Sequence, residues 1–486
     1  MEPGNAGNAG EELPWRHFGT VRRQLVHWLR PVPSASYKSI QKLLAIYRWS
    51  IDIFWLRAEI STRGEEKMKG NTKASVTRHL SFVSCSATGL FQISIRRINH
   101  MRCRFTFGQF GDAFQRKATL VLCLALCMLG AGLSATAEEP KSKFITFDLP
   151  GAGSGAGQGT VADSINPSGA VTGWYADANW LFYGYLRTAD GTFFTFQAPG
   201  AGTASFQGTQ ALSINPAGAI TGFYYDANVV SHGFLRDRDG TITSFDAPGA
   251  GTGFAQGTLV TSTTAINPAG AIAGLYVDAN NVFHGFVRAP DGTITDFDAP
   301  GAGTAAFQGT AGLGINPVGA VTGLYIDGSG VDHGFVRSPN GAITAFDAPG
   351  AGTGAGQGTF PFSINPAGAI TGFYADADSV AHGFLRPKHG AITTFDAPDA
   401  GAGGGQGTFA SANNPRDDIT GWYVDANGMN HGFLRTRDGA FITLDVPEAG
   451  TGSGQGTVAS GNNPRDAIAG HYYDTNDVAH GFLRIP

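Results

Sequence analysis

The chain has 486 residues, with 33 Lys+Arg against 38 Asp+Glu and four Cys. Its net charge of −5 hides a split: residues 1–100 carry 15 Lys+Arg against 7 Asp+Glu, whereas from Glu138 onward there are 14 against 30, a net −16. The acidic part excludes a nucleic-acid phosphate backbone as partner, and because Cys85, Cys103, Cys123 and Cys127 all precede Glu138, that part holds no disulfide.

Residues 1–100 form a basic segment with four of the seven Trp, at positions 15, 28, 49 and 55. Lys38 to Leu56 has the composition of a basic, aromatic helix for a membrane surface or nucleic acid. The next stretch favours a plainer account. Arg116-Lys117 precede an apolar run over 118–133, and Ser134-Ala135-Thr136-Ala137 then offers an A-x-A cleavage site before Glu138. Residues 101–137 therefore read as a secretory signal peptide cut after Ala137, with Met101 as a start and residues 1–100 translated from an unused upstream start. An apolar run of 16 residues falls short of the ~20 that span a bilayer, so no membrane span is expected in the exported part.

Residues 138–486 are a tandem repeat. Asn-Pro begins at Asn166, Asn215, Asn267, Asn316, Asn365, Asn414 and Asn463, at spacings of 49, 52, 49, 49, 49 and 49, and Gln-Gly-Thr recurs in the same register. The three extra residues lie between Gln256 and Asn267, in the third unit. In the second unit, Gly208 to Ile214 predicts strand A, Ala219 to Tyr225 strand B, Ser231 to Arg236 strand C and Thr241 to Phe245 strand D, with Asn-Pro-x-Gly, Asp-Ala-Asn and Asp-Gly as turns. No segment shows a helical apolar stripe. The expectation is an all-β, seven-bladed propeller of four-stranded repeats. The last unit ends after strand C, while Lys143 to Asp148 resembles a strand D with no unit before it. Pairing of the two closes the ring and removes the open edge.

The His that opens strand C and the Asp that closes strand D lie 14 residues apart: His232 with Asp246, His284 with Asp298, His333 with Asp347, His382 with Asp396, and His431 with Asp445. The first unit has Tyr183 and Gln197 instead, so the two positions change together, and closure adds His480 with Asp148. An antiparallel C–D hairpin brings them to one end as structural pairs. Arg187 through Arg484, closing strand C, are expected at the opposite end, covering apolar edges or meeting turn carboxylates such as Asp239.

The D–A and B–C connections are expected on one face, where Asp177, Asp226, Asp278, Asp327, Asp376, Asp425 and Asp474 would ring the centre. Such convergent oxygens suit Ca²⁺ or a polyhydroxylated ligand, although Asp-Ala-Asn is equally turn chemistry and lacks the spacing of an EF-hand loop. The Gly-rich runs such as Gly249 to Gly253 lead into a strand without a helix or Lys, which excludes a phosphate loop. Symmetry breaks at Trp180, Tyr183, Gln197, the insertion near Thr261 to Thr264, and Asn-Asn-Pro-Arg in the last two units. Trp174, Trp180 and Trp422 have the ring size to stack on sugars.

The motifs Ile-Asn-Pro-x-Gly-x-Ile-x-Gly, His-Gly-Phe-Leu-Arg and Gly-x-Ile-Thr-x-Phe-Asp resemble the bacterial extracellular HAF-type repeats over Phe144 to Pro486, with Gly233 and its equivalents in place of Ala. The resemblance implies an exported repeat protein and carries over no catalytic residue. The reading that follows is a secreted, monomeric binding or scaffold module for a glycan or surface protein, with an acidic loop face and no obligatory cofactor. Two alternatives stand beside it. One is a lyase or hydrolase on polysaccharide, with an asymmetric cluster at Tyr183 and Trp180 or at Thr261 lining a central funnel; the other is a structural surface protein.

Overall fold

The computed structural model describes residues 143–486; the basic segment, the signal peptide and its cleavage site lie outside the described residues. The described chain is all-β, with twenty-eight strands and no helix, and they fit seven sets of four. In the second unit strand A is Gly208–Ile214, strand B Ile220–Tyr225, strand C Ser231–Arg236 and strand D Ile242–Phe245. They pair A–B–C–D, each antiparallel to the next. Lys143–Phe147 pairs antiparallel with Ala479–Ile485, placing Thr146 opposite Phe482, and supplies the last unit with its strand D.

Gln-Gly-Thr is where one unit is fastened to the next. The first residue of each strand A forms a parallel bridge to strand C of the preceding unit, as Gly208 does to Phe182 and, across the chain ends, Gly159 to Ala479. Gly208 has φ +101°, and a Cβ there would lie 2.2 Å from the Phe182 carbonyl oxygen, so only glycine fits. Beside it, Gln207 Oε1 accepts from Ala204 N (2.9 Å) and its amide donates to Ala227 O (3.0 Å), joining the D–A loop to the B–C loop. Thr209 Oγ1 accepts from Ala198 N (2.8 Å) at the end of the preceding strand D.

One face of strands A to C contributes to a single apolar cluster running through all seven units, including Trp174, Leu212, Phe223, Leu275, Leu324, Phe373 and Phe409. The other face packs on the outer strands of the preceding unit: Phe234, Tyr224 and Ile220 meet Phe196, Leu186 and Ala198. The arginines that close strand C stack across the same junctions, with Arg236 5.1 Å from the Phe196 ring, Arg288 5.0 Å from Phe245 and Arg386 4.7 Å from Phe346. Their partner is thus an aromatic ring of the neighbouring unit, a cation–π contact that also shields apolar surface.

The Asn-Pro turns do more than reverse the chain. Asn215 Oδ1 accepts from Ala219 N (2.9 Å) inside its own turn, while its amide donates to Asn267 O (3.1 Å) in the next unit. Asn166, Asn267, Asn316, Asn365 and Asn414 donate in the same way at 3.1–3.5 Å. Asn463 donates to Asn166 O (3.1 Å), so seven buried amides form a closed belt.

The third unit departs from this pattern. Its strand A is only Gly257–Leu259, because the three extra residues leave the ladder, which is regained at the Ile266–Ile272 bridge. The displaced segment reaches across the ring. Thr263 O accepts from Ser164 Oγ (2.9 Å) and Ser213 Oγ (3.0 Å) of the first and second units. Thr264 O accepts from Ile315 N (3.1 Å) of the fourth, and the Ser262 and Thr264 hydroxyls donate to Phe362 O (3.3 and 3.2 Å) of the fifth. The insertion ties four other strands A together.

Asn463→Asp keeps the acceptor that holds the turn and removes the donor that joins the last unit to the first. An unmade buried bond costs about 1–3 kcal/mol, so urea unfolding should show a correspondingly lower midpoint. An unchanged midpoint would mean the belt contributes nothing.

Candidate functional site

The B–C loops hold all seven candidate aspartates, and each loop uses its Asp in the same way. Asp226 Oδ1 accepts from Asn228 N and Val230 N, both at 2.8 Å. Asp177, Asp278, Asp327, Asp376, Asp425 and Asp474 make the corresponding pair of bonds at 2.8–2.9 Å. Burial pushes the Asp278 carboxyl up, yet the N–H groups of Val282 and Asn280 and the Asn280 amide outweigh it and leave it below the ordinary carboxylate range. One oxygen of each carboxylate is therefore committed to its own turn. Among the described residues, no group of three or more His, Cys, Asp or Glu is placed to hold a metal ion.

The second oxygen faces the histidine that opens strand C. His232 Nδ1 lies 2.9 Å from Asp246 and its Nε2 3.8 Å from Asp226, while the ring stacks on Tyr224 at 5.0 Å. His284 with Asp298, His333 with Asp347, His382 with Asp396, His431 with Asp445 and His480 with Asp148 have the same arrangement, Nδ1 to carboxylate at 2.9–3.0 Å. In the first unit Tyr183 stacks on Tyr175 at 5.0 Å, and Gln197 instead donates to Phe182 O (2.7 Å) and accepts from Thr209 Oγ1 (2.7 Å). Six near-equivalent copies fasten strand D to strand C; their repetition fits a structural role better than a catalytic one.

These histidines differ from His471, which is buried on strand B of the last unit where Leu275 and Leu324 stand in the third and fourth. The Asp148 hydrogen bond raises His480 above the ordinary imidazole value, against the effect of burial. Burial lowers His471 to about 4.

The residues that break symmetry on the loop face are aromatic. The fourth residue of each B–C loop and the residue before each Gln have a left-handed backbone, and a backbone bond joins them across the unit junction: Phe206 N to Trp180 O (2.7 Å), Ala255 N to Val229 O (2.9 Å), Phe307 N to Asn281 O (2.7 Å), and Gly157 N to Asp477 O (2.7 Å). Glycine suits this conformation, and Gly330, Gly356, Gly405, Gly428 and Gly454 occupy it elsewhere. Trp180 (φ +62°), Phe206 (φ +63°) and Phe307 (φ +66°) hold it with bulky side chains. The Trp180 and Phe206 rings lie 5.2 Å apart, Phe206 is 45% exposed and nearby Phe254 is 56% exposed. Trp180 also fills the space beside Gly157, whose Cβ would lie 2.8 Å from the indole.

The structure thus separates the candidates. Trp174 is buried in the apolar cluster and out of reach of a ligand, whereas Trp180 lies half-buried on the loop rim. Phe206, Phe254 and Phe307 were not singled out by the sequence reading. Aligning the residue before each Gln exposes two of them: it is Gly in four units but Phe206 and Phe307 in two others.

No family model matches the chain, and no curated protein does. The HAF resemblance accordingly rests on its repeat motifs alone. Similar solved structures include the BP39L lectin from Burkholderia pseudomallei (12% identity, TM-score 0.42, covering 67% of this chain and 98% of that chain). Others are TolB from Acinetobacter baumannii (12%, 0.34, 69% and 66%) and a fucose-specific lectin from Aleuria aurantia (10%, 0.33, 70% and 91%). Likeness at this level does not bear on what this chain binds.

The two kinds of histidine predict opposite pH dependences. A raised folded-state pKa gives stability that is complete below the unfolded value of about 6.5 and lost as pH rises through the folded value. Asp148→Asn should therefore cost more thermal stability at pH 6 than at pH 9. A lowered pKa leaves the unfolded chain to take the proton first, so His471 costs stability as pH falls from about 6.5 toward about 4. His471→Leu should raise the midpoint more at pH 5 than at pH 8. Equal effects at both pH values would contradict either assignment.

Proposed function

We propose that residues 138–486 are an exported seven-bladed β-propeller, released by cleavage after Ala137, that binds carbohydrate on its B–C and D–A loop rim. Twenty-eight strands fitting seven sets of four, and a belt of seven asparagines that returns to its first member, support the blade count. The basic and apolar stretch ahead of Glu138 and the cysteine-free remainder support export. Among the described residues no helix is long and apolar enough to cross a membrane.

The observation that carries the binding role is the Trp180–Phe206 pair. A left-handed backbone costs an L-residue about 1–2 kcal/mol. Strain of this kind concentrates where a side chain must be displayed. Here it displays two large rings 5.2 Å apart at the rim, one of them 45% exposed. Sugar rings present flat C–H faces to aromatic rings and hydroxyls to neighbouring polar groups, and exposed loop polar residues such as Asn179 and Asn228 surround the pair. The centre of the ring suits a ligand less well, since the Ser262–Thr264 segment is bonded there to strands of four other units.

Trp180→Ala in the full chain should weaken binding to neutral glycans on an array by about 2- to 12-fold, the equivalent of 0.5–1.5 kcal/mol for an aromatic contact. The near-ultraviolet circular dichroism of the remaining aromatics should be retained. Full binding by the variant, or no glycan bound by the native chain, would refute the reading.

A further inference from the structure

The side chains at the left-handed rim positions are gathered at one side. Three consecutive junctions, between the first and second, second and third, and third and fourth units, have a non-glycine residue on both sides: Trp180 with Phe206, Val229 with Ala255, and Asn281 with Phe307. The next junction has Gly330 with Gly356, and every remaining one has glycine on at least one side. A single sugar socket would need the costly conformation at one junction. It is adopted at three neighbouring ones, and the β-branched Val229 (φ +62°) accepts it where glycine serves elsewhere. Phe254, 56% exposed next to Ala255, adds an apolar surface at the middle junction.

Resting on the carbohydrate reading, we propose that these three junctions form one continuous site for a linear chain of neutral sugar residues, laid along the rim from Trp180 to Phe307. Aromatic surface at both ends and the middle gives successive sugars a platform, and Asn281 supplies an amide at the far end. The ligand is neutral because the surrounding groups are acidic. Asp177, Asp226 and Asp278 sit on the same three loops, and from Glu138 onward the chain carries net −16. A uronate or sulfated chain would meet like charge along its length, whereas neutral hydroxyls would not. An affinity assembled from several weak contacts rises with each linked sugar, as for any tethered set of sites.

Calorimetric titration of the full chain with neutral gluco-, manno- and galacto-oligosaccharides, from disaccharide to hexasaccharide, tests this, with oligogalacturonate as the acidic probe. In the bound series affinity should rise about tenfold or more from the shortest to the longest member. Oligogalacturonate should bind more weakly than every neutral chain of its length. Phe307→Ala should weaken the hexasaccharide while leaving the disaccharide unchanged, and Trp180→Ala should weaken both; a thermal scan of each variant confirms folding. Equal affinity for short and long chains, or an unaffected hexasaccharide with Phe307→Ala, would overturn the extended site while leaving carbohydrate binding intact. Tighter binding of oligogalacturonate would overturn the neutral-chain assignment. If no oligosaccharide bound, both the site and the carbohydrate reading would fall.

Discussion

The fold depends on a set of side-chain amides that each serve two units. The oxygen of every Asn in the Asn-Pro turns is spent on its own turn, as Asn215 Oδ1 is on Ala219 N, and that fixes the ring of atoms so that the amide nitrogen points to the next unit. A buried amide donor without an acceptor costs about 1–3 kcal/mol. The belt can therefore satisfy its last donor only by returning to its first acceptor, which it does from Asn463 to Asn166. The same demand is met in the backbone by the strand Lys143–Phe147, which covers the edge that Ala479–Ile485 would otherwise leave open. Side chain and backbone close the ring at opposite ends of the unit.

With closure secured by groups that repeat, the loop rim is free to vary. The geometry of its connections is fixed by Gln-Gly-Thr and the Asp turn, both of which demand left-handed residues at set places. Glycine meets that demand at least cost, so a bulky residue in the same place is a departure that the fold does not need. Trp180, Phe206 and Phe307 are such departures, and they lie on neighbouring junctions. The insertion in the third unit is a second departure of another kind. It gives up most of a strand A and gains bonds to four other units, which fills the space a central ligand would use.

Much of the architecture is legible in the residues themselves. The 49-residue period, the turn residues and the orphan strand at Lys143 give the strand order and the pairing that joins the chain ends, because each is a local signal repeated seven times. Other features are not local. Asn-Pro reads as a turn, and nothing nearby reveals that the amide reaches a carbonyl 49 residues away. The insertion around Thr263 reads as a longer loop, since its partners Ser164 and Phe362 lie about a hundred residues off in either direction. The arginines closing strand C find neighbouring Phe rings for the same reason. The rim aromatics hide differently: Phe206 and Phe307 look like core residues until the backbone is known to be left-handed there.

The central claim is that the rim keeps aromatic side chains in a backbone conformation that favours glycine because they bind. Comparing Phe206→Gly with Phe206→Ala isolates it, as both remove the ring and only the first relieves the backbone. The glycine variant should be more stable than the alanine variant by about 1–2 kcal/mol in urea unfolding, and both should lose glycan affinity to the same extent. A glycine variant no more stable than alanine, or one that binds as well as the native chain, would contradict the account.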